Sequence, residues 1–206
     1  MTTFVLTACS QEPAEPAGPS PVGTGAPVIV PGRPGAAGRT ATPGERVGQT
    51  PVPTVASDVR FAEAMIPHHR QALEMTSLVN DRTTTDTIRA FARQITAAQT
   101  PEIKAMTGWL AELGRSAPDA HTHTQATQYG MATPEELNAL RATKGAAFDR
   151  MFLQLMTRHH EGAVKMAGEE LATGRDQRMR LMAKDVYSGQ SIEIARMRKV
   201  LETLPG

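Results

Sequence analysis

From about residue 58 onward, apolar side chains recur every third or fourth position, the pattern of helices that bury one face. The first stripe runs Phe61, Met65, His68, Ala72, Met75, Val79 and predicts a long helix over about 58–80, capped by Ser57-Asp58 and ending near Asn80-Asp81. At 100° per residue, His68 falls near the centre of that stripe and His69 at its edge, toward the rim. Pro67 has no backbone donor and predicts a kink just before the histidines. A second helix, about 86–113, carries Ile88, Phe91, Ala92, Ile95, Gln99, Glu102, Met106, Trp109 and Leu110 and stops at Gly114. Pro101 should bend it between its two polar stripe residues. A polar connection over 115–133 holds His121 and His123. Thr133-Pro134-Glu135-Glu136 then reads as the cap of a short helix reaching about 144, with a break near Gly145. A third long helix, about 147–173, carries Phe152, Met156, His159, Ala163 and Met166. Gly174 suits its end, and Asp176 can cap a fourth, about 177–203, bearing Met179, Met182, Val186, Gln190, Glu193, Ile194, Met197 and Leu201. No strand pattern of comparable length competes, so the fold class is all-α.

The stripes repeat. Phe61, Met65, His68-His69, Ala72 and Met75 return as Phe152, Met156, His159-His160, Ala163 and Met166, at a constant offset of 91. The same offset relates Ala92, Gln99, Glu102, Ile103, Met106 and Leu110 to Ala183, Gln190, Glu193, Ile194, Met197 and Leu201. Such a pattern reads as one unit used twice. It predicts a four-helix bundle of two duplicated helical hairpins around a pseudo-two-fold axis.

Composition adds a second region. Residues 10–54 hold ten of the 15 prolines and eight glycines, too little apolar surface to offset the entropy of ordering, so 10–56 reads as a disordered tether before a bundle domain at 57–206. Ahead of it, Phe4-Val5-Leu6-Thr7-Ala8-Cys9 resembles a lipobox, which makes 1–9 a signal remnant and Cys9 the lipidated residue. Only Met1-Thr2-Thr3 precede that apolar run, with no basic segment, so the expectation is a translation start further upstream or a trimmed chain. This organisation places the domain outside the cytoplasm, held to the outer face of the membrane by a lipid alone. A plain disordered N-terminus is the alternative. The net charge of +1, from 22 basic and 21 acidic residues, offers no nucleic-acid surface. The single cysteine leaves no internal disulfide and no cysteine-based zinc site.

The polar residues on apolar stripes carry the chemistry. Glu102 and Glu193, with Gln99 and Gln190, face the bundle interior beside His68 and His159, and a buried Glu needs a partner or a cation. Met65, Met75, Met106, Met156, Met166 and Met197 share those faces. Di-iron bundles place a carboxylate three residues before each histidine. Here Met65 and Met156 occupy that place, and a thioether in place of a carboxylate turns preference toward Cu(I) or silver. The competing reading is a His–Glu hydrogen-bond network that fixes helix register in a structural or sensory interaction module without metal. His69 and His160 could serve as solvent-side ligands at the rim, His121 and His123 as a loop pair, and Glu63 and Glu161 as partners that orient the imidazoles. Nothing resembles a nucleophile triad, a phosphate loop or a substrate pocket, so no enzyme is expected; a di-metal oxidase is the third reading.

Met-x-x-His-His-x-x-Ala-x-x-Met, then Gln-x-x-Glu-Ile-x-x-Met, each present twice, resembles a bacterial family known as domain of unknown function 305, over about residues 57–204. The resemblance implies a ferritin-like four-helix bundle typical of exported proteins. A periplasmic copper-binding member implies copper or silver handling in part of the family. By position it implies Met65, His68, His69 and Met75, with Met156, His159, His160 and Met166, as ligands. The expectation is a tethered copper-buffering or copper-sequestering protein whose partner is a metal ion.

Overall fold

The computed structural model of the chain describes residues 29–30, 35–42, 54–118 and 129–204. The chain divides into two compact units, Met1–Pro51 and Val52–Gly206. In the first, β1 (Ile29–Val30) pairs antiparallel with β2 (Arg39–Thr40), Ile29 opposite Thr40. This ladder lies within the stretch expected to be a disordered tether, most of which is outside the described residues. Gly35, at φ 87°, supplies a left-handed turn residue between the strands. The lipobox around Cys9 and the His121/His123 pair lie outside the described residues.

The second unit is built from α1 (Ala56–Ser77), α2 (Val79–Arg82), α3 (Asp86–Glu112), α4 (Pro134–Ala142), α5 (Gly145–Thr173) and α6 (Gln177–Thr203). α1 packs on α3 and α5 on α6, giving two hairpins, and α1 meets α5 between them. This is the expected four-helix bundle. Boundaries differ where local chemistry overrides the stripe. α1 starts two residues early because Asp58 is not its N-cap. Asp58 is fully buried and its carboxylate accepts from the N–H of Val55 at 2.7 Å, and from those of Arg175 and Asp176 at 2.7 and 3.0 Å. One side chain thus closes the start of α1 and pins the α5–α6 turn against it. The far end of α1 breaks at Leu78, and the remaining turn becomes α2. Both α1 and α3 run on through their prolines, Pro67 and Pro101. The caps read from sequence for α4 and α6 are in place. Thr133 and Glu136 exchange capping hydrogen bonds, and Asp176 accepts from the N–H of Arg178 and Met179.

The core is split. One apolar cluster contains Ala72, Met75, Ile88, Phe91, Ile95, Phe152, Met156 and Met197. The other contains Phe61, Met65, Met106, Trp109, Ala163, Met166, Met179 and Val186. Fully burying each such large side chain contributes about 1.5–3 kcal/mol, so the two clusters carry the stability of the domain. On every long helix the residues between the clusters are polar and mostly buried: His68-His69 on α1, Gln99 and Glu102 on α3, His159-His160 on α5, Gln190 and Glu193 on α6. A polar layer therefore crosses the middle of an apolar bundle. No helix among the described residues is long and apolar enough to cross a membrane.

Candidate metal centre

Within that layer the two histidine pairs are placed alike. His69 Nε2 lies 2.8 Å from Glu102 Oε2, and His160 Nε2 lies 2.9 Å from Glu193 Oε2. His68 and His159 meet at the centre with ring centroids 3.6 Å apart and planes tilted by 32°. His159 Nε2 donates to the backbone carbonyl of His68 at 2.9 Å, and His68 Nε2 donates to the carbonyl of Tyr129 at 2.9 Å. All four rings are buried, none more than 1% exposed.

These contacts decide the tautomers. A carbonyl oxygen only accepts, so Nε2 of His68 and His159 carries the hydrogen, and a carboxylate imposes the same on His69 and His160. In a neutral ring the lone pair then sits on Nδ1. All four Nδ1 atoms are buried and have no hydrogen-bond partner, as are both polar atoms of the Gln99 amide and Oε1 of Gln190. Native interiors leave few polar atoms in that condition, and a cluster of them marks a place where something else binds.

Burial pushes the pKa of His68 down to about 3, with the neighbouring His69 and His160 adding to the effect and the Tyr129 carbonyl opposing it. Burial first, then the other imidazoles, holds His159 well below its ordinary value. Both rings thus stay neutral and keep their lone pairs. The linkage has a definite sign. The unfolded chain protonates His68 near pH 6.5 while the folded chain resists down to about pH 3, so the stability it contributes is complete above pH 6.5 and is lost as pH falls toward 3; His159, also held low by burial, acts in the same direction. Urea midpoints measured across that window should fall steadily, and a His68→Ala/His159→Ala variant should show a flatter profile.

The six thioethers surround this layer in two sets. Met65, Met106 and Met166 belong to one apolar cluster, and Met75, Met156 and Met197 to the other. Each set combines thioethers from α1 and α5 with one from α3 or α6. Imidazole nitrogen with thioether sulfur suits a soft ion such as Cu(I) or Ag(I).

Two expectations are corrected here. His69 and His160, placed at the rim by their helical angle, are completely buried because each turns toward the outer helix of its own hairpin. Glu102 and Glu193, expected to face His68 and His159, engage His69 and His160 instead. Each carboxylate orients an imidazole, as carboxylate partners of metal-binding histidines do. Among the described residues no group of three His, Cys, Asp or Glu side chains forms a ready metal cluster. Glu63 and Glu161 do not reach the histidines: they pair with Arg115 and Arg198 at the surface.

One participant was not foreseen. The segment Tyr129–Ala132 lies against α1 and α5 and delivers the Tyr129 carbonyl to His68. Gln71 holds it by both amide atoms, accepting from Ala132 N–H and donating to Ala132 O at 2.7 and 2.9 Å. Arg158 donates to Glu136 at 2.8 Å and to the carbonyls of Gly130 and Met131. Glycine is required where the segment crosses α5, since a Cβ on Gly162 would sit 1.6 Å from the Tyr129 oxygen.

The fold and sequence have known counterparts. A DUF305 protein from Streptomyces coelicolor, inferred to be secreted, is 32% identical over 70% of this chain and 89% of its own, with a TM-score of 0.64. A DUF305 fragment from Deinococcus radiodurans is 30% identical over 74% of this chain and 99% of its own, at 0.68. CopM, solved in a Cu(II)-bound form, is 29% identical over 70% of this chain and 95% of its own, at 0.63. It has also been solved bound to Cu(I) and to silver. No functionally curated protein gives a significant match. The model of the domain of unknown function DUF305 matches residues 58–201, and the chain belongs to that family.

Proposed function

We propose that this protein binds copper as Cu(I) in its central polar layer, with silver as a surrogate, and buffers or sequesters it without turnover. The observation that carries the reading is the set of four buried imidazole Nδ1 atoms without a partner, those of the neutral His68 and His159 bearing lone pairs. His68, His69, His159 and His160 would supply nitrogen, and the buried methionines, Met65, Met75, Met156 and Met166 among them, would supply sulfur. Glu102 and Glu193 act by orienting His69 and His160. The equivalence of the two His–Glu pairs at an offset of 91 supports a duplicated hairpin with two related half-sites. The copper- and silver-bound forms of CopM support the metal assignment. A purely structural His–Glu network would account for the Nε2 contacts but would leave the four Nδ1 atoms idle. The secretion inferred for the Streptomyces coelicolor relative supports an extracytoplasmic location, with Cys9 as the lipid anchor.

Anaerobic competition between the protein and a chromophoric Cu(I) chelator tests the proposal. The intact chain should withdraw Cu(I), and His68→Ala/His159→Ala should do so far less well. Equal affinity of the two proteins would sink it.

A further inference from the structure

Of the six methionines around the polar layer, five are completely buried, whereas Met166 retains 4% exposure. Met166 also lines a cavity of about 210 Å³ between α1 and α5, together with Phe61, Ala64, Tyr129, Glu169 and Arg60. A cavity of that size holds several waters, each needing about 10–15 Å³. The Glu169 carboxylate accepts from the Tyr129 hydroxyl at 2.7 Å and the Arg60 guanidinium lines the same cavity, so its charged walls offset one another and Met166 is the soft donor that it offers. The position equivalent to Met166 is Met75, which is sealed at 0% exposure in the other cluster. The two thioether sets therefore differ in access although they match in composition.

We propose that Cu(I) or Ag(I) enters through this cavity, is captured first by Met166, and loads the Met65/Met106/Met166 set before the Met75/Met156/Met197 set. This rests on the copper reading above and deepens it by giving the site an order of filling and a door. The asymmetry arises from the single Tyr129–Ala132 segment. It packs against α5 on one side of the pseudo-symmetric layer, and Tyr129 forms part of the cavity wall. A soft monovalent ion can pass from water to a thioether by exchanging one ligand at a time, and a thioether at the end of a wet cavity is where that exchange can begin.

The molecule contains its own reporter. Trp109 is the only tryptophan and lies in the same cluster as Met65, Met106 and Met166, while the other set has none. Stopped-flow mixing of the full-length protein with Ag(I) should quench Trp109 fluorescence during addition of the first equivalent. Met166→Leu, which conserves volume, should slow that quenching about tenfold, the change expected when one contact is lost from the entry barrier. Met75→Leu should lower the final capacity and slow quenching by the first equivalent less than Met166→Leu does. Ala64→Phe fills the cavity without removing a donor, so it should slow loading while preserving final stoichiometry. The proposal is overturned if Met166→Leu and Met75→Leu slow loading equally, if Ala64→Phe loads at the wild-type rate, or if the first equivalent binds without quenching. Failure of the wild type to bind Ag(I) at equilibrium would instead strike the copper reading itself.

Discussion

Saturating Cu(I) should raise the thermal midpoint of the helical domain by about 8–16 °C. A ligand selective for the folded state stabilises it by about 4 kcal/mol at 1,000 times its Kd. For a domain of this size each kcal/mol moves the midpoint by about 2–4 °C. His68→Ala/His159→Ala should lose most of that shift, because it removes the two adjacent rings and their Nδ1 lone pairs from the centre of the layer. The measurement is anaerobic differential scanning calorimetry with and without metal, and Zn(II) serves as the contrast. A borderline ion has less use for thioether sulfur, so Zn(II) should give the smaller shift. A variant that kept the full Cu(I) shift would place the metal elsewhere in the molecule.

The helices were legible in the sequence because their stripes are long, their caps conventional and their apolar faces unambiguous. Residues 177–203 and the Thr133/Glu136 cap are found as read. The polar layer was also legible: glutamine, glutamate and histidine on apolar stripes have few bland explanations. The internal pairing was not. Helical angle assigns His68 to the centre and His69 to the edge, but it cannot show that the outer helix of the same hairpin covers that edge. Once α3 packs there, Glu102 meets His69, and the supposed rim histidine becomes the one held by a carboxylate. The start of α1 was missed for a related reason. Asp58 has the chemistry of a cap, yet it serves a turn more than a hundred residues away.

The Tyr129 segment left a trace that the sequence matches at an offset of 91 make readable in retrospect. At the offset of 91, Gln71 corresponds to Gly162 and Pro67 to Arg158. These departures from the repeat fall where one unduplicated segment must be held. Gln71 grips Ala132, Gly162 makes room for the Tyr129 carbonyl, and Arg158 clasps Gly130 and Met131. Where residues otherwise match at this offset, the ones that break the match mark the element that binds only once. Such an element is what makes His68, bonded to a connecting segment, inequivalent to His159, bonded to a helix carbonyl.

That inequivalence extends to the two His–Glu pairs and sets the second large effect. In the absence of metal, His160→Ala should destabilise the domain by about 3–5 kcal/mol, the range found when one member of a buried pair is removed and the other is stranded. The Glu193 side chain is only 9% exposed and largely shielded from solvent. His69→Ala should cost less, about 1–3 kcal/mol, because the Glu102 side chain is 20% exposed and can regain solvent. A double-mutant cycle isolates the cause. Adding Glu193→Leu to His160→Ala should recover part of the loss, since an apolar side chain of similar volume carries no stranded charge. Urea denaturation of the metal-free proteins reads all four states. Equal losses at the two positions, with no recovery in the double variant, would mean that the imidazoles matter for their volume alone and that the carboxylates do not hold them.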